Sequence, residues 1–156
     1  MKSTMFEPRR ATIGSCGYDL YSPREYDLVP GVWTVIDTGV SLEDTDEVSF
    51  KGYKPVLGYG LSLIEIKTCR ASNWFMMVVP RSGLSFHYGL RIRNTVGIID
   101  KDYRDTIKCS VTVDEPYTLE VGERFAQGII LPFGVFDNEI KPTENRKGGF
   151  GSTGKV

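Results

Sequence analysis

Arg81, Ser82 and Gly83 stand in a row directly after a proline, and Asp100 and Tyr103 follow within the same stretch. Residues 80–111 read PRSGLSFHYGLRIRNTVGIIDKDYRDTIKCSV. These types suit an enzyme that grips a phosphate chain and aims water at it. Arginine offers a planar fork of charged donors, serine a hydroxyl, and glycine lets backbone N–H groups come close. A carboxylate such as Asp100 can orient a water molecule and accept its proton. Taken singly, each residue has an ordinary use. Arg-Ser-Gly is common in turns, and Asp100-Lys101-Asp102 reads as a hairpin tip. Tyr103 reads as a half-buried strand aromatic, Asn94 as a turn cap and Gln127 as a surface polar residue. His87 is given no catalytic part.

A second stretch with chemistry closes the chain: Arg146-Lys147-Gly148-Gly149-Phe150-Gly151-Ser152-Thr153-Gly154-Lys155. Gly149 to Lys155 fits GxxxxGK, but Val156 follows where a P-loop has Ser or Thr. The strand before it and the helix after it are also missing, so that reading is rejected. What survives is backbone N–H groups, hydroxyls, cations and one aromatic, which suits closure over a phosphorylated planar ligand. A solvated tail is the plainer alternative.

The elements that must position these residues are short strands. The chain has 156 residues, 40% hydrophobic and 12% aromatic, which suits one domain with an ordinary core. Its dominant period is two. Gly31–Val40, Leu61–Lys67, Leu90–Arg93, Ile107–Val113 and Ala126–Leu131 read as strands, and Trp74–Val79 as a strand buried on both faces. No segment makes a convincing amphipathic helix longer than about three turns. The expected class is all-β with little helix: a sandwich, barrel or jelly roll. Two regions break the pattern. The segment from Val40 to Val79 is long for one connection, and its middle, Glu43–Gly60, reads as an extra hairpin or arm. The expected organisation is a β domain over 1–137 with an insert around 43–73, then a flexible glycine-rich arm over 138–156.

Charge narrows the function. Lys plus Arg number 19 and Asp plus Glu 20, for a net charge of −1. Such a chain has no general pull on nucleic acid or on an anionic membrane, so a polyanion must be met at a local site with the help of a metal ion. No apolar run approaches the roughly 20 residues that span a bilayer, and the first residues lack a signal-peptide core. Cys16, Cys69 and Cys109 are far apart and odd in number, which favours reduced thiols and a cytoplasmic setting. A zinc site is not expected, because no two cysteines have ligand spacing.

Order and combination carry more than any single motif. Gly17-Tyr18-Asp19-Leu20-Tyr21-Ser22 comes first, then Pro80-Arg81-Ser82-Gly83-Leu84, then Asn94-Thr95-Val96-Gly97-Ile98-Ile99-Asp100-Lys101-Asp102-Tyr103-Arg104. Glu123-Arg124-Phe125-Ala126-Gln127 follows, and Gly148-Gly149-Phe150-Gly151-Ser152-Thr153-Gly154 ends the series. In this order the motifs resemble those of the trimeric dUTPases over nearly the whole chain, apart from the long segment after Gly39. The resemblance implies a jelly-roll subunit, a homotrimer, and three sites built across subunits with the arm lying over a neighbour's site. It implies Mg²⁺-assisted hydrolysis of dUTP to dUMP and pyrophosphate, which keeps uracil out of DNA and supplies dUMP. By motif match, Arg81, Ser82 and Gly83 hold the triphosphate with Gln127 beside them. Asn94 and the backbone through Gly97 and Ile99 read the uracil edge. Asp100 orients the water and contacts the sugar, and Tyr103 packs under the deoxyribose. Phe150 stacks on the base, Gly151, Ser152 and Thr153 reach the terminal phosphates, and Arg146 clamps the γ-phosphate. Asp19 helps arrange the hydrated metal.

The chain departs from the family pattern in places. The tail arginine stands one residue nearer the phenylalanine, so Lys147 or Lys155 can share its work. Tyr88 stands where the family often has histidine, and the segment between Gly39 and Pro80 is longer than expected. The alternatives are a dCTP deaminase of the same superfamily and a second, protein-binding role for the insert. Gly83 after Ser82, and an aspartate where a deaminase needs a glutamate, count against the deaminase.

Overall fold

Alternating apolar residues make strands that bury one face, and most of this chain is built that way. The computed structural model describes residues 1–3, 5–42, 49–54, 65–70, 73–140, 142–143, 146 and 148–149. In chain order the elements are β1 (Lys2–Ser3), β2 (Gly17–Tyr21), β3 (Tyr26–Leu28), β4 (Thr34–Asp37), β5 (Val40–Ser41), β6 (Ser49–Lys54) and β7 (Glu65–Arg70). There follow β8 (Trp74–Pro80), α1 (Ser82–Tyr88), β9 (Arg91–Ile92), β10 (Gly97–Asp100), β11 (Lys108–Thr112), β12 (Tyr117–Leu119) and β13 (Arg124–Pro132).

The largest sheet has the order β10-β8-β13-β2, and a second has β4-β11-β9. Their inward faces form one core, in which Leu20, Ile36, Met76, Leu90, Ile107, Val111, Leu119 and Phe125 are fully buried. Burying each large side chain contributes roughly 1.5–3 kcal/mol. Smaller pairs, β1-β5, β12-β3 and β6-β7, complete the pairing. The expected all-β class with little helix is what the described residues adopt.

Four local expectations change. The stretch Gly31–Val40 is two strands, because Asp37 accepts a 3.0 Å bond from the Gly39 N–H and Thr38 turns aside to Ile107. Trp74–Val79 is buried on one face only: Trp74, Met76 and Val78 are buried, while Phe75, Met77 and Val79 are half-buried. Residues after Arg81 form the two-turn helix α1 rather than an open turn. Finally, Asp100-Lys101-Asp102 is not a hairpin tip, because β10 and β11 on either side of it do not pair with each other. The strand β9 pairs with β11, whereas β10 pairs with β8, so the Asn94–Thr95 turn carries the chain from one sheet to the other. In the long segment after Val40, β6 and β7 pair antiparallel from Ser49↔Arg70 to Lys54↔Glu65. Leu61–Ile64, the start of the expected alternating strand, lies outside the described residues.

Candidate active site

One set of the singled-out residues gathers at the C-terminal end of β8. Arg81 follows that strand in extended backbone, φ −75° and ψ 138°, and its N–H donates to the Phe125 carbonyl at 3.0 Å. The register sets Asp19 of β2 opposite Gln127 of β13, with Val79 of β8 on the other side of Gln127. The Asp19 carboxylate receives the Arg81 guanidinium on Oδ1 and the Arg124 guanidinium on Oδ2, the latter at 3.3 Å. The aspartate is only 3% exposed. A desolvated carboxylate between two cations holds both guanidiniums in place and leaves the cluster one positive charge in excess. Ser82 and Gly83 begin α1, both exposed, with open space beside Gly83. Gln127 packs so closely on Gly17 that any Cβ there would collide with its amide oxygen, which explains glycine at that position.

A second set lies along β10 at the edge of the same sheet, from Gly97 opposite Val78 to Asp100 opposite Phe75. A cavity of about 160 Å³ opens where β10 and β11 diverge, with Gly97–Asp100 and Lys108–Cys109 contributing to its walls. The two strands do not pair with each other, because β10 bonds to β8 and β11 to β4 and β9. β10 is the edge strand of its sheet, so backbone N–H and C=O groups on its outer side are available to a ligand. The interior is apolar, from Val78, Ile92, Ile107 and Cys109. Burial pushes the Cys109 thiol up to about 12, so it stays protonated and inert. Asn94 and Asp100 are exposed at the margin, and Ile99 is half-buried. Beside Asn94, Thr95 has φ 64°, an uncommon conformation for a β-branched residue. That strained turn sets where Asn94 stands.

Tyr103 is 6% exposed, and its hydroxyl donates to the Thr106 carbonyl at 3.2 Å. Burial, followed by Asp105 and Asp37, raises its pKa, while Arg146 opposes the shift. The arm returns to this place. Arg146 pairs with Asp100, donates from Nε to Asp102 at 3.0 Å, and lies 5.8 Å from the centre of the Tyr103 ring. A Cβ on Gly149 would come within 2.6 Å of that ring, so glycine lets the arm lie flat against it. Phe150, Gly151, Ser152 and Thr153 lie outside the described residues.

Asp100 and Arg81 are separate within one chain. Asp100 pairs with Phe75 near the start of β8, and Arg81 follows Pro80 at its end. At about 3.3 Å per residue that run spans roughly 20 Å.

A dUTPase family model matches residues 58–154. Deoxyuridine 5'-triphosphate nucleotidohydrolase of Actinobacillus pleuropneumoniae serotype 5b is 33% identical over 95% of this chain and 87% of that protein. The chain belongs to the dUTPase family. The protein of the same description from Nautilia profundicola is 36% identical over 82% of this chain and 92% of its own length. The crystal structure of dUTPase from Streptococcus mutans superposes with a TM-score of 0.58 at 25% identity, covering 84% of this chain and 88% of that one. The fold is thus the jelly-roll-like β fold of the dUTPases.

Against the dUTPase motifs, the structure brings Arg81 together with Asp19 and sets Gln127 beside Asp19 in the sheet. It gathers Asn94, Gly97, Ile99, Asp100, Tyr103 and Arg146 around one cavity. Asp100 and Arg81 themselves stand at opposite ends of β8. Both oxygens of Asp19 face arginines. Among the described residues no three His, Cys, Asp or Glu side chains cluster as a metal site. The donor set therefore does not form a protein cage for Mg²⁺. Arg124 joins this cluster without being singled out by its place in the sequence. Its signal was a lone cation at the head of a strand, and only the sheet register joins it to Asp19 across 105 positions.

Proposed function

We propose that this chain hydrolyses dUTP to dUMP and pyrophosphate at a site shared between copies of itself. The observation that carries the reading is Asp100 at the margin of a cavity partly walled by the edge strand β10. Such an edge can meet the donor and acceptor pattern of uracil, and mismatched groups left unpaired discriminate by roughly 10⁴–10⁵. Tyr103 under the sugar leaves little room for a 2′-hydroxyl. Asn94 and the backbone at Gly97 and Ile99 orient the base.

The arginine cluster supplies the phosphate end. Arg81 and Arg124, held on Asp19, balance the charge that builds on the triphosphate, with Ser82, Gly83 and Gln127 completing the grip. Asp100 accepts a hydrogen bond from water and takes its proton as the oxygen attacks the α-phosphorus. The bond from that phosphorus to its bridging oxygen breaks, and pyrophosphate leaves with the electron pair. Mg²⁺ brought in with the substrate would neutralise phosphate charge, while the chain's own arginines hold the phosphates. Arg146, Phe150, Gly151, Ser152 and Thr153 act from the arm.

The separation of roughly 20 Å supports an assembly in which the acid of one copy meets the arginines of another. The outer sheet face supports the homotrimer as well, since it carries half-buried Phe75, Met77 and Ile129 and exposed Ile98 and Phe133. The β6-β7 pair belongs to neither large sheet, in keeping with an insert around 43–73 that offers a surface to a partner.

Pyrophosphate release with Mg²⁺ should be far faster from dUTP than from UTP, dTTP or dCTP. Release of ammonia from dCTP, or no pyrophosphate from dUTP, would overturn the assignment.

A further inference from the structure

On the reading above Arg146 belongs over the phosphates and Asp100 faces water, yet in the structure Arg146 rests on Asp100. Its three anchors differ in kind. The pairing with Asp100 occupies the reacting acid, the 3.0 Å bond to Asp102 holds a carboxylate outside the cavity lining, and the Tyr103 ring lies 5.8 Å beneath the guanidinium. A fourth contact, from an Arg146 N–H to the Gly148 carbonyl at 3.1 Å, folds the arm so that Gly149 meets the same ring. No dUTPase motif role assigned above uses Asp102. Its side chain is 59% exposed, so its interaction with Arg146 has little else to do for the fold.

We infer that Asp102 is a positioning residue that parks the arm in the free enzyme. Resting on the hydrolytic reading above, the inference is that Asp102 draws Arg146 onto its own subunit's acid. The idle site then keeps Asp100 neutralised and the arm out of the phosphate position. A triphosphate offers more negative charge than two exposed carboxylates, so substrate takes Arg146 away. The parked state competes with productive binding, and apparent affinity falls by the fraction of molecules so occupied. Exposed ion pairs are weak, which makes the latch reversible and its effect about 2–5-fold.

The experiment uses the full chain with Asp102→Asn and Asp102→Glu. Trypsin must take the arginine side chain into its own pocket, so a parked Arg146 is cut slowly. Without nucleotide, cleavage after Arg146, followed by mass spectrometry, is expected about 3–10-fold faster in Asp102→Asn and unchanged in Asp102→Glu. The KM for dUTP is expected to fall about 2–5-fold in Asp102→Asn, with kcat within twofold of wild type. Equal cleavage rates would overturn the latch, and so would a raised or unchanged KM, since a residue anchoring the closed arm would weaken binding when lost. Failure of the hydrolytic reading is separate. It would appear as wild-type protein that does not act on dUTP, while the cleavage comparison still decides the latch.

Discussion

At one end of β8 two arginines share one acid, and at the other two acids share one arginine. The charges mirror each other but the surroundings do not. The Asp19 side chain is 5% exposed, whereas those of Asp100 and Asp102 are 52% and 59% exposed. A desolvated carboxylate cannot trade its partners for water, so the arginine end is fixed before substrate arrives. An exposed pair exchanges with solvent readily, so the acid end can release its cation and take up a water molecule. One end is suited to hold and the other to change, a division that fits the hydrolysis proposed above.

The sharpest way to break this contrast is Asp100→Asn, which keeps size and hydrogen bonding but removes the base. The kcat for dUTP should drop by about 10²–10⁴, with nucleotide binding largely kept. Mixing that protein with an Arg81→Ala variant during refolding should restore part of the activity, because each supplies the end the other lacks. Full activity in Asp100→Asn alone would remove it from the mechanism. A smaller effect is expected at the arginine end. Asp19→Asn leaves Arg81 and Arg124 repelling each other without their shared counter-charge, and kcat/KM should fall about 10–100-fold with most of the loss in KM. Steady-state kinetics read both, and a loss confined to kcat would place Asp19 with the reacting atoms.

The smallest effect concerns the cavity interior at the acid end. The folded Cys109 thiol keeps its proton up to about 12, whereas the unfolded one loses it near 9. Stability from this group is therefore complete below about pH 9 and is lost as pH rises toward 12. By pH 10 the loss amounts to about 1 kcal/mol. Thermal melts between pH 8 and 10.5 should show a steeper decline for wild type than for Cys109→Ala, and parallel declines would remove the thiol as the cause.

Much of the site was legible because it is local. Arg81-Ser82-Gly83 is contiguous, and Asp100 and Tyr103 straddle a turn whose Tyr103 N–H bonds back to the Asp100 carbonyl at 3.0 Å. Period-two alternation found β8, β11 and β13 in outline, since a half-buried strand must alternate. The same rule misjudged Trp74–Val79, whose outer residues are apolar yet only half-buried. It also missed α1, seven residues in which Leu84 is the one buried side chain and periodicity has too little length to register.

Residue type and spacing by themselves determined the β class, the motifs in order and the chemistry they can perform, because those depend on neighbours along the chain. Tertiary structure alone decided that Asp19 serves Arg81 and Arg124, that β9 and β10 enter different sheets, and that Asp100 and Arg81 stand at opposite ends of one strand. Such facts depend on register between segments far apart in sequence, and register is set by packing of the whole core, which no short window of residues contains.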